Sequence, residues 1–162
     1  MTLSAHEKTV GATLYTAEQR ARRDATTWTL VQGILAPAQF AVFLISLVLV
    51  FRYLITGDGY EVATWSILIK TGFLYLIMIT GSIWEKVVFD QYLFAGPFFW
   101  DDVFSFAVMA LHTAYVIALF SGALGPVSLM LLALAAYAFY VINAAQFLLK
   151  LRAARLQSEA LA

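Results

Sequence analysis

Four apolar runs separated by short polar breaks set the pattern of this chain. A helix needs about 20 apolar residues to cross the hydrocarbon core of a bilayer. Pro37–Ile55, Val62–Phe89, Val103–Phe120 and Pro126–Leu149 all meet that length. The second run is overlong, so it tilts or projects from the membrane by a turn or two. Thr56-Gly57-Asp58-Gly59-Tyr60-Glu61 follows the first run, and Ser121-Gly122-Ala123-Leu124-Gly125 precedes Pro126. Glycine and proline at these points punctuate helices, and such short connections make neighbouring helices antiparallel. The expected fold is all-α, an integral membrane four-helix bundle. Residues 1–36 form an N-terminal segment, 37–150 the transmembrane domain and 151–162 a tail.

Ahead of the first run the chain is polar up to Asp24, with no cleavable small-residue site after a short apolar core, so a signal peptide is not expected. Thr16-Ala17-Glu18-Gln19 has the pattern of a capping box. It predicts a short surface helix over Ala17–Asp24 leading into Trp28. Pro37 either kinks the first span or marks its first turn. Lysine and arginine placement sets orientation. Lys8, Arg20, Arg22, Arg23, Lys86, Lys150, Arg152 and Arg155 fall on one side, and Arg52 falls on the other. Both termini and the Glu85–Asp102 segment are therefore expected to be cytoplasmic.

Composition narrows the class. The chain has 162 residues, of which 62% are hydrophobic and 12% charged; soluble domains run nearer 45–50% and about 25%. The mean hydropathy is +0.83, which makes the lipid bilayer the expected solvent. A net charge of zero argues against nucleic acid and against a polybasic membrane arm. The absence of cysteine excludes disulfides, thiolate metal sites and a cysteine nucleophile. With His6 and His112 as the two histidines, a multi-histidine metal site within one chain is not expected.

The charged residues that interrupt this pattern are the candidates for chemistry. Glu85, Asp90, Asp101 and Asp102 lie near one interface, among Trp84, Phe98, Phe99 and Trp100. Ionisable groups at the bilayer are costly and mark function by default. Burial against aromatics favours a protonated carboxyl and a nearby lysine favours an ionised one, so such a cluster can hold an acid beside a base. The plainer alternative pairs Lys86 with Asp90 one turn apart and leaves Asp101 or Asp102 as a cap of the third span. His112 shares a helix face with Asp101 and Tyr115, but about 16 Å of rise separates it from Asp101. It ligates a ring-bound metal or bonds a neighbouring helix. Lys70 is expected to snorkel outward rather than pair inside. Gln39, Thr71, Tyr75, Thr80, Asn143 and Gln146 read as interhelical glue. Ala133, Ala136, Ala144 and Ala145 read as a close-packing face, and Tyr53, Trp84, Tyr92 and Trp100 as an interface belt.

Four strings carry a resemblance: Arg22-Arg23-Asp24-Ala25-Thr26-Thr27-Trp28-Thr29-Leu30-Val31-Gln32-Gly33, Gly81-Ser82-Ile83-Trp84-Glu85-Lys86-Val87-Val88-Phe89, Phe98-Phe99-Trp100-Asp101-Asp102-Val103 and Leu111-His112-Thr113-Ala114-Tyr115. Together they resemble the vinyl bacteriochlorophyllide hydratases of bacteriochlorophyll biosynthesis, from about Tyr15 to Arg155. The resemblance implies addition of water across the C3 vinyl group of chlorophyllide a to give a 1-hydroxyethyl group. It implies a bacterial inner, intracytoplasmic photosynthetic membrane, and other enzymes of the pathway as partners. No cofactor is expected, because the magnesium arrives with the substrate. Asp101 stands where the family commonly carries Glu, which keeps the carboxyl and shortens its reach.

Chemistry then distributes the roles. Glu85 is the expected proton donor, Asp101 the water-activating partner and Asp90 the reserve. Trp84, Phe98, Phe99 and Trp100 are expected around the ring, with Lys86 or an arginine of Arg20–Arg23 on the propionate. His112 is the candidate axial contact to magnesium; a deeper substrate brings Tyr115 and Lys70 into the site. Four short-looped spans offer little room to enclose a chlorin, which leaves a place for a homo-oligomer. Two other classes stay open: a non-catalytic tetrapyrrole-binding or pigment-assembly protein, and a small transporter or channel subunit built around Lys70, His112 and the carboxyls.

Overall fold

A computed structural model describes residues 14–160; His6 and Lys8 lie outside the described residues. Helix α1 spans Ala17–Ala25, and its capping box forms as the sequence predicts. Thr16 Oγ1 accepts from Gln19 N at 3.2 Å, and Gln19 Oε1 accepts from Thr16 N at 2.9 Å. One residue, Thr26, then ends α1 and caps α2, which runs over Thr27–Thr56. The helix that carries the first apolar run therefore starts at Thr27, ten residues before Pro37. Pro37 sits inside a continuous helix, so it neither starts nor ends the span. Its missing N–H costs the helix one interior hydrogen bond.

Helix α3 spans Tyr60–Phe89, α4 Phe99–Ser121 and α5 Pro126–Ala160, and no strand occurs among the described residues. Gly57 (φ 77°), Gly59 (φ 88°) and Gly122 (φ 66°) close the turns in the left-handed conformation that a side chain resists. The four long helices are each long and apolar enough to cross a membrane. Their outer faces expose Ile55, Trp65, Ile117 and Phe120, as lipid-facing surfaces do. At 30 residues, α3 is about 45 Å long, which exceeds a hydrocarbon core of about 30 Å.

The bundle is built of two hairpins. Helices α2 and α3 pack closely along their length, as do α4 and α5, while contact between the two pairs is sparser. Polar rungs fix the register. In the first hairpin Gln32 Nε2 donates to Thr80 Oγ1 at 2.8 Å, and the Ser46 and Ser66 hydroxyls meet at 2.7 Å. In the second, Asn143 Nδ2 donates to Ser105 Oγ at 2.8 Å. Ser46 also reaches the Tyr137 hydroxyl at 2.5 Å, tying the hairpins together. Thr80, Tyr75 (bonded to Thr113) and Asn143 thus glue helices as expected. Thr71 instead bonds its own helix at Ile67 O, and Ala145 is exposed rather than packed.

Lys70 departs furthest from expectation. It does not snorkel but is fully buried, with Nζ 3.6 Å from the centre of the Tyr140 ring and within 6 Å of Phe43 and Tyr137. Its position about three turns into α3 puts either end of the helix beyond the reach of a four-carbon stem, and the aromatic faces take the ammonium instead.

Candidate active site at the acidic end of the bundle

The C-terminal end of α3, the start of α4, α1 and the last turns of α5 meet at one end of the bundle. A small apolar cluster of Tyr15, Val88 and Phe98 joins them, with Trp84, Phe89 and Ala154 packed on it. Trp84 Nε1 donates to Thr29 Oγ1 at 2.9 Å, which pins this end to α2. Trp84 and Phe98 meet edge to face at 5.4 Å, so both are engaged with each other; Phe99 and Trp100 are exposed. Burial pushes the Tyr15 hydroxyl above its ordinary value, with the Arg23 guanidinium opposing.

The connection from α3 to α4 organises the carboxyls. Phe94 adopts φ 60°, a conformation a bulky residue resists. In exchange, two consecutive backbone N–H groups point at two carboxyls: Phe94 N donates to Asp102 Oδ2 at 2.6 Å and Ala95 N to Glu85 Oε2 at 3.2 Å. Each N–H favours the ionised form of the carboxyl it meets, against the burial that opposes it. Glu85 and Asp102 are both buried, and their carboxyls meet side by side.

Asp101 is also buried but turns to α5. Its Oδ2 pairs with Lys150 Nζ, which also donates to Pro97 O and lies 4.7 Å from the centre of the Phe98 ring. The Lys150 charge is felt at Glu85 as well. Asp101 and Asp102 both fall in the first turn of α4, yet neither bonds its end, since the side chains are drawn to Lys150 and to the connection.

Asp90 stands apart. It ends α3 at φ 63° and forms an exposed ion pair with Lys86 at 2.7 Å, as the plainer sequence alternative has it. That hydrogen bond and charge hold the Asp90 carboxyl below the ordinary range. His112 and Tyr115 lie inside the bundle, away from the carboxyls, with His112 Nδ1 bonded to Val108 O at 2.8 Å. Of the expected site residues, the structure brings together Glu85, Asp101, Trp84 and Phe98; it leaves Asp90 and Lys86 at the rim and His112 and Tyr115 in the core. Sequence reading did not find Lys150, Phe94 and Tyr15, nor that Asp102 rather than Asp101 faces Glu85. No group of three or more histidines, cysteines or carboxylates with metal-binding geometry occurs among the described residues.

A bundle of helices apolar enough to span a membrane, with a buried carboxyl pair held by a strained connection, is the class that the fold and site define. The family described as 2-vinyl bacteriochlorophyllide hydratase matches residues 15–153, and the chain belongs to that family. A 2-vinyl bacteriochlorophyllide hydratase from Cereibacter sphaeroides is 72% identical over 148 residues, covering 91% of each chain. One from Rhodobacter capsulatus is 70% identical over 145 residues, covering 90% of this chain and 84% of the relative. No solved structure matches the chain.

Proposed function

We propose that the protein is a hydro-lyase that adds water across the C3 vinyl group of chlorophyllide a, giving the 3-(1-hydroxyethyl) product of bacteriochlorophyll biosynthesis. Identity of 70% and 72% to two hydratases along nearly the whole chain carries this reading. The chemistry is a proton to the terminal CH2, a cation spread into the macrocycle, and water attack at the ring-proximal carbon with loss of a proton from that water. No electrons change hands and no cofactor is required; the magnesium belongs to the substrate.

The Glu85–Asp102 pair suits the first step. Like charges in contact do not both ionise, so the two carboxyls share a proton that one of them delivers. Asp101, ion-paired with Lys150, is the base for the attacking water. Phe99 and Trp100 are exposed beside these groups and available to a flat ring, while Trp84 and Phe98 form the floor beneath. Lys86 or Arg20 meets the propionate. Asp90 is too far committed to Lys86 to serve as more than a rim charge. Both termini and this end of the bundle face the cytoplasm of a photosynthetic inner membrane, where a second copy of the chain or another pathway enzyme completes the enclosure of the ring.

The test is purified protein with chlorophyllide a and isotopically labelled water, with products read by chromatography and mass spectrometry. A labelled product heavier by one water, absent with denatured protein, is expected. Pigment bound tightly with no mass gain, in detergent and in membranes holding the other pathway enzymes, would replace the hydratase reading with that of a pigment carrier.

A further inference from the structure

In a bilayer every unpaired polar group is costly, so where such groups collect is informative. On α4, Asp101, Ser105, Val108, His112 and Tyr115 recur at alternating spacings of four and three and share one face. Opposite them on α5 lie Lys150, Gln146, Asn143, Tyr140 and Tyr137. The rungs are an ion pair at Lys150–Asp101, a 2.8 Å bond at Asn143–Ser105, and the His112 and Tyr137 rings at 5.8 Å. Lys70 enters from α3 over Tyr140. Among the described residues, seven buried side-chain atoms have no protein hydrogen-bond partner; Asp101 Oδ1, Gln146 Oε1, His112 Nε2 and Lys70 Nζ lie along this seam, while Tyr115 OH faces Thr64 of α3 and Gln39 Oε1 lies on α2.

Their chemistry selects the occupant. Because a carbonyl can only accept, His112 Nδ1 carries the proton given to Val108 O, and in the neutral ring Nε2 offers a lone pair. Nε2, Asp101 Oδ1 and Gln146 Oε1 therefore ask for a donor, while Lys70 Nζ asks for an acceptor. An anion would serve Lys70 and confront the three acceptors, and a cation would do the reverse. Water serves both kinds, and polar buried sites of this sort are where proteins hold it.

We propose that the α4–α5 seam is a water file running from the Asp101–Lys150 rung inward to Lys70 and His112, about 16 Å along α4. Resting on the hydratase reading, its role is to hold the co-substrate behind a ring that covers the acidic end.

The chain has no cysteine, so single thiols report cleanly. Val108 and Val50 are both 0% exposed, but Val108 lies on the seam and Val50 on α2. In detergent-solubilised protein, each Val→Cys variant is treated with silver ion, then unfolded and titrated with maleimide. Thiolates form in water and not in apolar packing, so V108C should react with silver at least about tenfold faster than V50C. Ser105→Cys, one turn nearer the acidic end, should react at least as fast as V108C. Equal rates for V108C and V50C would overturn the file. Ser105→Leu, which fills the seam, should lower hydration at least about tenfold in protein that still binds pigment; undiminished turnover would overturn the supply role. Silver labelling needs no turnover. An inert V108C beside wild-type protein that forms product defeats the file alone, and a reactive V108C beside wild-type protein that forms no hydration product defeats the hydratase reading alone.

Discussion

Lys150→Met separates an ion pair that holds two helices from one that merely decorates a surface. The Lys150 and Asp101 side chains are 24% and 12% exposed, so this pair lies between the surface and buried regimes. Methionine keeps the stem packed on Phe98 but removes the charge. Asp101 then has neither oxygen partnered, because Oδ1 already has no protein donor among the described residues. Breaking a buried pair from one side costs about 3–5 kcal/mol, and 24% exposure of the lysine places the expected loss near 3 kcal/mol at the lower end of that range. Losing the bond to Pro97 O adds about 1 kcal/mol. Asp101→Asn together with Lys150→Met leaves no stranded charge, so the double variant should recover about 2 kcal/mol of the summed single costs. Reversible unfolding in mixed micelles, followed by far-UV circular dichroism, measures all three variants. Additive costs, with no recovery in the double variant, would refute the claim that this pair couples α5 to the acidic end.

Three further outcomes follow from the same geometry. Glu85→Gln should lower hydration about 10²–10⁴-fold while pigment binding persists, and single-turnover kinetics with pre-bound pigment check this; normal turnover in folded protein would remove Glu85 from the mechanism. Phe94→Ala and Phe94→Gly both lose the ring stacked on Phe106, but only glycine relaxes φ 60°. The glycine variant should therefore be about 1 kcal/mol more stable than the alanine variant by chemical denaturation, and equal stabilities would show the backbone is not strained. Asp90 is held below its ordinary range by Lys86, so its contribution is present above the unfolded carboxyl pKa and fades as pH falls through the lower folded value. The small stability gap between wild type and Asp90→Asn should therefore close on acidification, and a gap that widened would show that Lys86 does not favour the ionised carboxyl.

The sequence is most legible where one residue type acts through its own backbone. Glycines at the turns and Thr16 with Gln19 predicted the helix ends that the structure shows, because caps and left-handed turns are local. The start of α2 was less legible. Pro37 reads as a kink or a first turn by its chemistry, and a helix already nucleated by the Thr26 cap and packed on α3 carries it as an interior residue. Lys70 shows the same limit from the other side. Snorkelling is a rule for one lysine in lipid, whereas Phe43, Tyr137 and Tyr140 come from two other helices.

Apolar run length and punctuation determined a four-span helical membrane protein, and the acidic, aromatic break between the second and third spans marked the end where chemistry gathers. Which carboxyl meets which was decided by the tertiary structure. Asp101 and Asp102 are adjacent in the chain and about 100° apart around α4, so one turns to Lys150 and the other to Glu85. That choice depends on how α3, α4 and the tail of α5 converge, and on a connection strained enough at Phe94 to aim two N–H groups at two acids. The polar ladder between α4 and α5 has the same origin. Its residues are periodic within each helix, but they become rungs only when the antiparallel register sets Asp101 opposite Lys150 and Ser105 opposite Asn143.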